Sequence, residues 1–114
     1  MFPDGGRLRR CTVLDFGPVL HRDDVAADKT LALWGRAEPR DFVDVVALRS
    51  RYGGAELLRL AAEKDRGFTV RTFVDALGSI RRLAQADWES AGVSAQRAAD
   101  IVAAVQAWRA ELTG

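Results

Sequence analysis

Residues 27–48 read ADKTLALWGRAEPRDFVDVVAL, and the reading of this stretch decides the fold. Val25, Leu31, Leu33 and Trp34 are the apolar members of a helix that runs from an Asp23 or Asp24 cap to about Arg36. Glu38-Pro39 then restarts the chain, because a proline in a first helical turn lacks only an N–H that has no partner there. The second helix carries Phe42, Val45, Val46 and Leu48 and is expected to stop at Gly53-Gly54. Helices joined by so short a link near Ala37 pack side by side. That brings Lys29 on the first toward Arg40, Asp41 and Asp44 on the second.

Upstream, RCTVLDFGPVL (10–20) places β-favouring Thr12, Val13, Leu14 and Phe16 before a Gly17-Pro18 breaker, which reads as a strand ending in a turn. A lone strand leaves backbone groups unpaired, so it calls for a sheet partner. Downstream, Leu57, Leu58, Leu60 and Ala61 mark a third helix over about 55–64, closed by Asp65-Arg66-Gly67. Thr69 opens a fourth, with Phe73, Leu77, Ile80 and Leu83 on one face. After a polar stretch at 85–92, Ser94 caps a last helix whose stripe is Ala98, Ile101, Val102, Val105, Trp108 and Leu112. The expected fold is mainly α. One or two short strands near Thr12 to Val19, within an N-terminal segment 1–22, precede a helical domain 23–114 of about five helices.

A chain of 114 residues fits one small domain, and 48% hydrophobic with 29% charged residues is the balance of a globular protein. The net charge of +1 gives no global basic field for nucleic acid, so any such contact needs a local patch. The single cysteine, Cys11, excludes an internal disulfide and a multi-cysteine zinc site, and suits a reducing cytoplasm. No apolar run is long enough for a membrane span.

The charged groups each carry two readings. Asp41 and Asp44, three apart on a helix, share a face that suits Mg²⁺ or an acceptor hydroxyl; they also suit a solvated first turn with Arg40 paired to Asp44. Lys29 is either a point charge for a triphosphate or a water-side lysine. His21 has no metal or nucleophile partner at suitable spacing, and Cys11 reads as a small apolar residue. Arg7, Arg9 and Arg10 fit a nucleic-acid backbone or a solubilising end. Trp34 and Trp108 read as core or interface residues, and Trp88 stays open.

The block from Leu14 to about Leu83, with Lys29 on one helix followed by Arg40, Asp41, Phe42 and Asp44, resembles the C-terminal part of the AbiEii-type nucleotidyltransferase toxins. The resemblance implies the helical C-terminal half of an α+β nucleotidyltransferase, the toxin of a bacterial toxin–antitoxin pair. It further implies Mg²⁺ and a nucleoside triphosphate as cofactors, and nucleotide transfer to RNA such as tRNA. By that analogy Lys29 and Arg40 bind nucleotide, and Asp41 and Asp44 serve the acceptor hydroxyl or support the site. The family's signature, a Gly-Ser turn followed by an Asp-x-Asp pair on a strand, does not occur in this sequence, and Asp15 does not replace that pair. The chain is therefore expected to be an incomplete C-terminal fragment, whether by truncation, a mis-called start or a split protein, with a missing N-terminal half and an antitoxin as partners. The competing reading is a non-catalytic helical module that binds a protein through its Trp108 stripe or its strand edge.

Overall fold

The computed structural model describes residues 17–114, and side chains from Arg22 onward. Thr12 to Phe16 of the expected strand, Asp15, Cys11 and the three N-terminal arginines lie outside the described residues, as does the His21 side chain. Six helices follow in order: α1 (Gly17–Gly35), α2 (Pro39–Leu48), α3 (Gly54–Lys64), α4 (Val70–Gly78), α5 (Gln85–Ser90) and α6 (Ala95–Thr113), with a 3₁₀ turn at Ser79–Arg82 after α4. No strand occurs among the described residues. None of these helices is long and apolar enough to cross a membrane.

Gly17-Pro18 does not break the chain but opens α1, so Gly17 to Val19 are helical where a strand end was expected. Pro18 falls in the first turn, the one helical position at which its missing N–H leaves nothing unpaired. The helix thus runs through the expected division at residue 22, and Asp23 and Asp24 lie inside it rather than capping it. They tie α1 to the α2–α3 link and to α3 instead. Tyr52 Oη donates to Asp23 Oδ1 at 2.9 Å, and the Lys64 ammonium bridges Asp24 and Asp28, the latter at 2.7 Å.

Small residues set the packing of α1. Ala26, Ala27, Thr30 and Leu33 are buried, and the Thr30 hydroxyl is satisfied by donating to the Ala26 carbonyl at 2.8 Å. Val25, expected among the apolar members, is 49% exposed because it lies off this stripe. With so little bulk on the buried face, α1 packs closely on both α2 and α3. The other face of the core comes from α4, the 3₁₀ turn after it and α6, where Phe73, Leu77, Ile80, Ala98, Ile101, Val105 and Trp108 are buried as their spacing predicts. The two halves are joined by a run of rings: Trp34 on Phe68 at 5.4 Å, Phe68 on Phe73 at 5.6 Å and Phe73 on Trp108 at 5.2 Å between centroids.

Gly53-Gly54 does not end α2, which stops at Leu48. Gly53 is the N-cap of α3 and Gly54 its first residue, pressed against Trp108 so closely that a Cβ would lie 2.5 Å from the indole nitrogen. The caps read from sequence for α4 and α6 do form: Thr69 Oγ1 accepts from Thr72 N, and Ser94 Oγ from Arg97 N, both at 3.2 Å.

The α1–α2 link carries the one non-glycine residue of positive φ among the described residues, Ala37 at 53°. An alanine pays roughly 1–2 kcal/mol to sit in the left-handed region, and glycine does not. Ala37→Gly is therefore expected to raise the unfolding free energy by about 0.5–1 kcal/mol after glycine's greater unfolded-state entropy is deducted. Urea denaturation checks this. A loss of stability would mean that the link is not strained.

Candidate functional site

The link turns the chain so that α2 begins beside the end of α1. Glu38 takes the extended conformation that a following proline imposes (ψ 162°), and Pro39 starts the helix. Asp41, the third helical residue, reaches back to accept the Glu38 N–H at Oδ2, 2.8 Å away. Arg36 grips the same carboxylate with two hydrogen bonds, Nε to Oδ2 at 3.0 Å and NH2 to Oδ1 at 2.6 Å. Asp41 is only 2% exposed. Both of its oxygens are committed to holding the link.

Burial works against the charge of Asp41, but the hydrogen bonds from Arg36 and the Glu38 N–H, with the positive charges of Arg36 and Lys29, outweigh it and hold the pKa below the ordinary carboxylate value. A depressed folded-state pKa stabilises the fold above the unfolded value of about 4 and is lost as pH falls through the folded value. Asp41→Asn is thus expected to be less stable than the parent at neutral pH, with the gap closing below about pH 4. Parallel urea titrations at pH 7 and pH 3 measure this. A gap unchanged by pH would refute the ionic role.

One turn further along α2, Asp44 Oδ2 accepts from Lys29 Nζ at 3.0 Å, joining α1 to α2. The Arg40–Asp44 pair that local spacing suggested does not form. The α2 face turns Asp44 toward α1, where Lys29 is the nearer cation, while Arg40 stands exposed. Lys29, Arg40, Val43 and Asp44 instead line one side of an open groove of about 300 Å³. Ala91, Gly92 and Val93 of the α5–α6 loop and Arg97 of α6 line the other. The structure brings Lys29, Arg40 and Asp44 together there and turns the Asp41 carboxylate to Arg36.

The far wall is built by a segment that read only as polar. Residues 85–90 form α5, started by Asp87 Oδ2 accepting the Ala84 N–H at 2.7 Å. Its end is a Schellman turn: Gly92, at φ 78°, donates to the Glu89 carbonyl and Val93 donates to the Trp88 carbonyl, both at 2.9 Å. Trp88 and Val93, both buried, anchor this turn and so fix where α6 begins. Sequence reasoning missed Arg36 and Arg97. Arg36 pairs five residues away across a turn, outside the i,i+4 rule, and Arg97 reaches the groove through tertiary packing with no local signal. A second, wider groove of about 620 Å³ runs past Trp34, Arg36, Thr72, Asp75 and Arg82.

Residues 10–111 match the family model described as "Nucleotidyl transferase AbiEii toxin, Type IV TA system". The chain belongs to the AbiEii nucleotidyltransferase toxin family. No curated protein and no solved structure gives a match. A nucleotidyltransferase generally uses a nucleoside triphosphate and a divalent metal. The carboxylates do not fit a metal. Asp41 is taken by Arg36 and the Glu38 N–H, Asp44 by Lys29, and no group of three metal-ligating side chains gathers among the described residues. The cations do fit a polyphosphate: Lys29, Arg40 and Arg97 share one groove with the single carboxylate of Asp44.

Proposed function

We propose that the groove between α1, α2 and α6 is the phosphate-binding part of a nucleotidyltransferase toxin site that transfers nucleotides to RNA such as tRNA. The observation that carries this is the meeting of Lys29 and Arg40, from two helices, over one open groove. Lys29 and Arg40 bind the triphosphate, since phosphoryl transfer is chiefly a matter of positioning and charge neutralisation. Asp44 holds Lys29 in place and is the carboxylate that faces an acceptor hydroxyl. Asp41 supports the site through the α1–α2 link. In the transfer itself the RNA hydroxyl oxygen attacks the α-phosphorus, the bond to pyrophosphate breaks, and the hydroxyl proton leaves to a base.

Catalysis of this kind needs a pair of acidic groups held together, and no Asp-x-Asp pair occurs in the sequence. Helical Asp41 and Asp44, each already paired with a cation, do not reproduce that geometry. The chain by itself is expected to bind a nucleoside triphosphate and to transfer none. Purified chain incubated with Mg²⁺, each labelled triphosphate and bulk tRNA is the assay. Label in RNA that disappears in Asp44→Ala would show the expected inactivity of the chain alone to be wrong.

A further inference from the structure

We infer that Arg97 is a third phosphate-binding residue of this AbiEii groove, and that the three cations together recognise a compact polyphosphate such as the β,γ end of a nucleoside triphosphate. The inference rests on the reading of the groove as a phosphate site and adds to it a residue on a different part of the fold. Arg97 lies in the first turn of α6, about 55 to 70 positions along the chain from Arg40 and Lys29, yet it lines the same 300 Å³ groove.

Its position is built. Buried Trp88 and Val93 pin the α5–α6 turn, Gly92 supplies the left-handed residue that turn requires, and Ser94 Oγ accepts the Arg97 N–H at 3.2 Å. Three basic groups and one carboxylate face the groove, and the carboxylate is already engaged by Lys29. Among the described residues neither Arg40 nor Arg97 has an ion-pair partner. Guanidinium groups brought to one small groove repel each other until an anion lies between them, and their planar donor forks match phosphate oxygens. The three basic groups all line one groove of about 300 Å³. A patch suits a short, densely charged anion, whereas an RNA backbone is followed by cations spaced along a track.

The test is calorimetric titration of inorganic tripolyphosphate and of ATP into the full chain, its Lys29→Gln, Arg40→Gln and Arg97→Gln variants, and Arg66→Gln as a control of equal charge change away from the groove. Arg97→Gln is expected to weaken both ligands about tenfold, matching loss of one charge-assisted contact. Arg97→Lys is expected to recover part of the loss, and Arg66→Gln to change affinity less than about twofold, by long-range charge alone. Arg97→Gln equal to Arg66→Gln, with Lys29→Gln and Arg40→Gln still weakened, overturns the role of Arg97 and leaves the groove reading standing. No binding to the parent chain overturns both. An RNA oligonucleotide that binds more tightly than tripolyphosphate and depends more strongly on Arg97 overturns the assignment to nucleotide phosphates.

Discussion

Phe73→Ala is expected to remove about 3–5 kcal/mol of unfolding free energy, the range for deleting a fully buried aromatic ring. Phe73 is 0% exposed and is the middle link between Phe68, at 5.6 Å, and Trp108, at 5.2 Å. Its loss therefore opens a cavity where the α1–α3 half meets the α4–α6 half and also forfeits two ring–ring contacts. Trp108 cannot collapse into the space freely. Its ring lies against Gly54 on one side and carries the Arg49 guanidinium 4.6 Å from its centroid. For a domain whose whole stability is of order 5–15 kcal/mol, the change corresponds to a fall in melting temperature on the order of 15–25 °C. Phe73→Leu keeps most of the volume and is expected to lose only about 1–1.5 kcal/mol. Denaturant unfolding followed by tryptophan fluorescence reads both variants. An alanine variant within about 1 kcal/mol of the parent would mean that the aromatic run does not join the two halves.

The second large effect concerns function. Lys29→Gln combined with Arg40→Gln is expected to lower nucleoside triphosphate affinity by about 100-fold, roughly tenfold for each charged contact removed. Lys29 is already held by Asp44 at 3.0 Å, so a triphosphate draws on an ammonium that is placed in advance and loses little side-chain entropy. Arg40 is exposed and contributes by reaching over the groove. Both side chains stand in water, so the folded state is expected to survive the double change, and the remaining affinity to fall less steeply with added salt than that of the parent. Titration at two ionic strengths measures both consequences. Unchanged affinity would remove these two residues from the site.

Much of the framework was legible because periodicity and caps report the local environment directly. The α6 stripe from Ala98 to Trp108 and the Thr69 and Ser94 caps appear in the structure as the sequence pattern implies. Gly17-Pro18 misled because the same dipeptide serves a turn or a first helical turn, and nothing local separates the two. Gly53-Gly54 misled for a different reason: the small size of Gly54 answers to Trp108, more than fifty residues away. The site divides along the same line. Lys29 and Asp44 were within reach because a short link dictates that their helices pair. The engagement of Asp41 by Arg36 depends on the left-handed Ala37 and the extended Glu38 between the two helices, which no spacing rule contains. Arg97 depends on how α6 packs, a property of the whole core.

The most direct measurement of the central claim is a chemical-shift map of the isotope-labelled chain titrated with ATP and, separately, with tripolyphosphate. The account predicts that both ligands perturb the same set, the Lys29, Arg40 and Arg97 side chains with the Asp44 and Gly92 amides, and leave the Asp41–Arg36 pair in place. Perturbations confined to the Trp34–Arg82 groove, or none at saturating ligand, would contradict it.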